Sequence, residues 1–97
     1  MFELQWTDEA KTTYELLKEN PSDKARYGAV KKTIKLLAEN PRHPSLQTHK
    51  FSSLKGPNGE EVFEAYAQQK ASAAYRVFWY YGPSKREMTI FAITPHP

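Results

Sequence analysis

Tyr75-Arg76-Val77-Phe78-Trp79-Tyr80-Tyr81 is the stretch whose reading decides the fold. Aromatic and β-branched residues favour strands, and period-two alternation separates two faces. Tyr75, Val77 and Trp79 share one face; Arg76, Phe78 and Tyr80 share the other. Immediately upstream, Val62 to Gln68 alternates in the same way, with Phe63, Ala65 and Ala67 against Glu64, Tyr66 and Gln68. The small residues of Gln69 to Ala73 predict a hairpin loop between the two strands. Downstream, Gly82-Pro83-Ser84 turns the chain, and Met88 to Thr94 is apolar on both faces, as an interior strand is. Pro95-His96-Pro97 stops it.

Further out the period changes. Phe2, Leu4 and Trp6 alternate with Glu3 and Gln5, which predicts a short strand. Thr7 is a natural N-cap, with Asp8 and Glu9 at the positive end of the helix dipole. Ala10, Tyr14 and Leu17 then predict a helix over 7–19. A second helix, capped by Asn20 or Ser22, carries the apolar stripe Tyr27, Val30, Ile34 and Leu37. Each helix runs into Glu-Asn-Pro, where asparagine tolerates a left-handed backbone and proline cannot continue the helix. The short connection predicts an antiparallel helix hairpin. The proline-punctuated segment 41–48 reads as a polar connector, Lys50 to Leu54 as a short strand or a strand entry, and Gly56-Pro57-Asn58-Gly59 as a tight turn. The expected fold is α+β: β-α-α-β-β-β, a helix hairpin on one face of an antiparallel sheet, with residues 1–97 as one domain.

Composition excludes several classes. The chain has 97 residues and no cysteine, so disulfides, thiolate metal sites and cysteine nucleophiles are absent. No apolar run approaches the roughly 20 residues of a membrane span, and the first six residues do not resemble a signal peptide. His43, His49 and His96 lack metal-ligand spacing, and His43 and His49 read as polar loop residues. There is no phosphate-binding glycine loop or nucleophile elbow, so no metal and no cofactor are expected. The net charge of +3 hides an asymmetry: residues 1–23 sum to −4, residues 24–55 to +7, and the remainder to zero. The basic block either meets phosphates or an acidic partner, or is a solvated face whose lysines pair with the acidic first segment.

The face carrying Glu64, Tyr66, Arg76, Phe78 and Tyr80 has no helix left to cover it. Rings that stack on bases beside a guanidinium that takes a phosphate are the equipment of single-stranded RNA binding. The alternative is cross-strand ring pairing that only stabilises an open sheet.

Three local patterns, in this order along the chain, carry a family resemblance: Ser53-Leu54-Lys55-Gly56 before a turn and strand, Ala74-Tyr75-Arg76-Val77-Phe78-Trp79-Tyr80, and Ile90-Phe91-Ala92-Ile93-Thr94-Pro95-His96. With the strand, helix hairpin and strands around them, they resemble the RelE/ParE superfamily of bacterial toxins, across nearly the whole chain. The resemblance implies a small cytoplasmic toxin with a cognate antitoxin. In the RelE branch it implies a ribosome-dependent endonuclease that cuts mRNA, and in the ParE branch a poison of DNA gyrase. It matches Arg76 to the phosphate-stabilising strand arginine and His96 to the C-terminal catalytic position, and it places Lys50 and Lys55 on the RNA backbone. The chain also departs from the family pattern. Glu64 and Tyr66 stand where outward Lys or Arg is usual, Ser52 where one branch carries Glu, and Pro97 where an aromatic follows the histidine.

Metal-independent RNA cleavage needs a base for the 2′-OH, an acid for the 5′-oxygen and a cation on the phosphorane. The candidates are Arg76 as the cation, His96 for one proton transfer, and Glu64 or Tyr66 for the other, with Lys50, Lys55, Phe78 and Tyr80 binding RNA. Arg76 is expected to lie outside the core and to be removable at little cost in stability. The alternative is a non-catalytic binding module on the same fold, meeting RNA, gyrase or an antitoxin-like partner.

Overall fold

A computed structural model describes residues 1–68 and 74–95. The expected loop Gln69–Ala73 and the expected catalytic residue His96 lie outside the described residues. Five strands, β1 (Glu3–Trp6), β2 (His49–Lys55), β3 (Glu61–Tyr66), β4 (Tyr75–Tyr81) and β5 (Glu87–Pro95), form one sheet in the order β1-β5-β4-β3-β2. Helices α1 (Asp8–Glu19) and α2 (Lys24–Glu39) follow β1. The class is α+β, as the patterning predicts, with β4 spanning the aromatic stretch Tyr75–Tyr81 end to end. β5, apolar on both faces, sits between β1 and β4.

Two features depart from the expected layout. The segment after the connector is a full seven-residue strand, β2, which adds a fourth strand after the helices. The sheet is also mixed: β1 runs parallel to β5, pairing Leu4 with Met88 and Trp6 with Ile90, while β2 to β5 are antiparallel. Tight turns fix the direction of β2 against β3 and of β4 against β5. Gly59, at φ 84°, donates its N–H to the Gly56 carbonyl at 3.0 Å, and Gly82 turns at φ 120° before β5. No turn constrains β1, which joins the sheet only through the helices. Its Leu4 and Trp6 pack against the helix-side core.

Thr7 caps α1 by accepting the Ala10 N–H at 3.1 Å, and its hydroxyl donates to the Phe91 carbonyl of β5 at 2.8 Å. The helix start is thus tied to the sheet. The asparagines after the helices are extended rather than left-handed, with Asn20 at φ −87°, ψ 114° and Asn40 at φ −158°, ψ 93°. Each precedes a proline, which clashes with helical backbone at the residue before it. Their side chains accept the N–H groups of Ser22 (3.0 Å) and Arg42 (3.1 Å). Asn20 caps a 3-10 turn over Pro21–Asp23, and the α2 N-terminus at Asp23 has no side-chain cap.

The helix-side core unites Val30, Ile34 and Leu37 of α2 with Ala65, Val77, Trp79, Met88 and Ile90 of the sheet, and Tyr27 and Phe63 pack against it. Phe63 stacks on Trp79 at 4.9 Å. Tyr14 lies between Trp6 (5.0 Å) and Tyr27 (5.2 Å). Burial, reinforced by the Tyr27 hydroxyl, pushes the Tyr14 phenol well above its ordinary value. Lys24, Lys31, Lys32 and Lys35 are exposed on α2. Among the described residues no ion pair joins them to α1, so the acidic first segment does not neutralise them.

Candidate functional site

On the far face of the sheet, register brings three ionisable side chains from three strands together. Glu64 lies directly opposite His49 of β2 and Phe78 of β4, while Arg76 lies opposite Tyr66. Arg76 is therefore the diagonal neighbour of Glu64 on one face. The Glu64 carboxylate accepts from the Arg76 Nη1 on one oxygen and from the His49 Nε2, 2.6 Å away, on the other. Glu64 is 2% exposed, Arg76 12% and His49 48%. The carboxylate is thus buried between two cation-forming groups, of which His49 is the more open to solvent and Arg76 is partly exposed.

The far face is less open than the alternation predicts. Phe78 and Tyr80 are 3% and 7% exposed, in a second small core with Val62 and Ala92. Phe51, Leu54 and Phe91 cover them, Phe51 meeting Phe78 edge-on at 5.0 Å. The ladder between β2 and β3 shifts register between Lys50 and Lys55, and such an irregularity twists and bends an edge strand. Bent this way, β2 lays Phe51 and Leu54 over the face that the alternation leaves open. The expectation that Phe78 and Tyr80 offer exposed stacking surfaces is therefore corrected: they are interior side chains.

Arg76 is held rigidly. Its guanidinium carbon lies 4.9 Å from the Phe78 ring centroid and 5.8 Å from that of Phe51. Its Nε is buried and carries no hydrogen bond. Glu64 has both oxygens paired and almost no exposure, so proton transfer between it and RNA would require one of these pairs to open. In this geometry it positions Arg76 and His49. The expected removability of Arg76 falls for the same reason, since its loss would leave a buried carboxylate short of a partner. Tyr66 is partly exposed, its ring 5.8 Å from that of His49. Lys50 pairs with Glu61 at 3.1 Å on the exposed edge, and Lys55 is exposed at the end of β2. The β4–β5 register sets Thr94 opposite Arg76 and Pro95 opposite Tyr75, so the described end of β5 reaches the Arg76 end of β4.

His49 is the site member that sequence reasoning passes over as a loop residue. It begins β2, and its Nδ1 lies 3.1 Å from the Gln47 carbonyl. The usable signal is that His49 and Phe51 share one strand parity: extending the strand by one residue puts His49 beside Glu64. His43, by contrast, accepts the Ser45 N–H at 3.2 Å and caps a connector turn. Among the described residues no three histidine or acidic side chains gather where they could hold a metal ion, and no helix is long and apolar enough to cross a membrane.

No family model matches the sequence, and no curated protein matches it. Solved structures do match its fold. A YoeB/ParE toxin from Agrobacterium tumefaciens aligns with a TM-score of 0.71 at 14% identity, covering 99% of this chain and 100% of that one. The archaeal RelE-RelB complex from Pyrococcus horikoshii OT3 contributes a chain with a TM-score of 0.65 at 17% identity, covering 97% of this chain and 93% of that one. The YoeB dimer from Staphylococcus aureus gives 0.65 at 14%, covering 99% and 98%. Two helices on one face of a five-stranded mixed sheet give this chain the fold of these YoeB/ParE and RelE structures.

Proposed function

We propose that the chain is the toxin of a toxin–antitoxin pair and acts as a ribosome-dependent mRNA endonuclease through metal-independent attack of the RNA 2′-OH. The observation that carries this reading is the state of Arg76. Its guanidinium is clamped by Glu64 and two rings. A guanidinium fixed in this way meets a phosphate without losing rotamer freedom, and charge-assisted N–H donors stabilise a phosphorane more than its ground state. The unpaired lysines of α2, with Lys50 and Lys55, supply sequence-independent attraction to RNA. His96 is the residue we assign to one proton transfer, with Tyr66 as the accessible candidate for the other. The RelE neighbour was solved with RelB, and an antitoxin is the partner we infer here.

The test is expression of the chain in cells and addition to a translation extract, with mRNA ends mapped. Wild type is expected to arrest growth and cleave mRNA only when ribosomes are present. Arg76→Lys, which keeps the charge and loses the fork geometry, is expected to lower cleavage by about 100-fold. Cleavage surviving in Arg76→Lys and Arg76→Ala would remove Arg76 from the chemistry. One observation favours the alternative, a non-catalytic binding module: Glu64 is sequestered and Phe78 and Tyr80 are covered. Wild-type growth arrest with intact mRNA would decide for it.

A further inference from the structure

The far-face cluster holds a histidine that the proposed chemistry does not use. His49 is set with some care. Gln47 adopts a left-handed backbone at φ 48°, uncommon for a residue with a side chain, and its carbonyl lies 3.1 Å from the His49 Nδ1. The Nε2 faces the buried Glu64 oxygen at 2.6 Å. Both neighbours are acceptors, and a neutral imidazole has only one N–H; the two bonds form together only when the ring carries both protons. Across the carboxylate lies Arg76. With His49 protonated the three groups sum to +1; with His49 neutral they sum to zero, and Glu64 alone offsets the guanidinium.

We propose that His49 is a positioning residue for the phosphate site, its proton setting the net charge that Arg76 presents to an anion through the shared Glu64 carboxylate. This rests on the phosphate-binding reading of Arg76. In the protonated state Glu64 is shared between two cations, and the guanidinium keeps its attraction for a phosphodiester. In the neutral state His49 no longer shares the carboxylate charge, and the guanidinium is answered by Glu64 in full. The other groups facing His49 do not substitute for it. The Tyr66 ring lies 5.8 Å away, tilted at 43°, and the adjacent Lys50 is engaged by Glu61. Arg42 and His43 share an open groove of about 500 Å³ with His49, but an arginine carries no proton switch near neutral pH and the His43 Nδ1 is occupied by Ser45. Binding and protonation are thermodynamically linked, so a phosphodiester bound at Arg76 raises the proton affinity of His49 by the same factor that the proton raises binding.

The experiment measures the affinity of a 2′-O-methylated RNA hexamer without terminal phosphates, which resists 2′-OH attack and keeps constant charge between pH 5.5 and 8. One unit of charge at this range in a partly solvated site is worth about tenfold in affinity. Wild type is expected to bind about tenfold more weakly at pH 8 than at pH 5.5. His49→Gln, which keeps a donor toward Glu64 but no charge, should bind weakly at both values. His49→Lys should bind tightly at both. In wild type the His49 ring resonance should titrate at higher pH with the hexamer than without it, a response lost in Arg76→Lys. Wild-type pH dependence persisting in His49→Gln, or full affinity in that variant, overturns the proposal, since a purely structural hydrogen bond would be rescued by glutamine. Hexamer binding equal at both pH values in wild type overturns the proposal and leaves the phosphate reading standing. No binding at either pH overturns both.

Discussion

The two faces of this sheet are built on opposite principles. The helix-covered face is an uncharged core, in which Val77, Trp79, Met88 and Ile90 meet Val30, Ile34 and Leu37, all at 5% exposure or less. The far face has no helix. It combines a small aromatic core, covered by a bent edge strand, with a buried carboxylate between an arginine and a histidine. Burial on the first face is a matter of apolar area, which stabilises wherever it is placed. On the second face every buried charge needs a named partner, so stability depends on geometry. A fold that takes its stability from one face can keep the other for binding.

The largest effect is expected from breaking the helix-covered face. Trp79→Ala removes the biggest buried side chain and should cost about 3–5 kcal/mol, read from urea midpoints. Phe51→Ala, which uncovers Phe78 on the far face, should cost about half as much, because Phe51 is only partly buried. Equal costs would mean that the edge strand is as much a part of the core as the helices.

Next in size is the ion cluster. Arg76→Ala should cost about 3 kcal/mol, because Glu64 stays buried with His49 as its remaining partner. Combining it with Glu64→Ala should cost less than the sum of the two single changes, since neither buried charge is then stranded. Additive losses in that double-mutant cycle would show that the two side chains are not energetically coupled.

The smallest stability effect is expected on the surface. Changing Lys24, Lys31 and Lys35 to glutamine should move stability by no more than about 0.5 kcal/mol each. The same change should lower the salt slope of RNA binding by up to about 0.7 for each phosphate that a lysine no longer neutralises. An unchanged slope would make the basic helix a solvated surface with no part in binding.

The helix-covered face was legible because period and burial coincide there. The stripe Tyr27, Val30, Ile34 and Leu37 and the parity of Phe63, Val77 and Trp79 each point to one side, and the structure joins them. The fold followed from that agreement. The far face was legible only in its membership. Alternation put Glu64, Arg76, Phe78 and Tyr80 there together, but what covers them depends on a register shift in β2. A shift of that kind arises from how two strands meet and has no periodic signature in either one. His49 was missed because its importance lies in a cross-strand partner fifteen positions away in sequence. The parallel β1 escaped for a related reason, since strand direction is local information only where a turn supplies it.

That first strand has a consequence for when the protein becomes functional. β1 pairs with β5 across more than eighty residues of chain, and Thr7 reaches the Phe91 carbonyl. Contacts so distant in sequence are closed late, because the entropy of loop closure is met before the pairing rewards it. During synthesis β1 and the helix hairpin wait without their sheet partner until residues 87–95 have left the ribosome. β4, which carries Arg76, lacks one of its two neighbours until then. The sheet that carries the site is therefore closed only when residues 87–95 are available to pair.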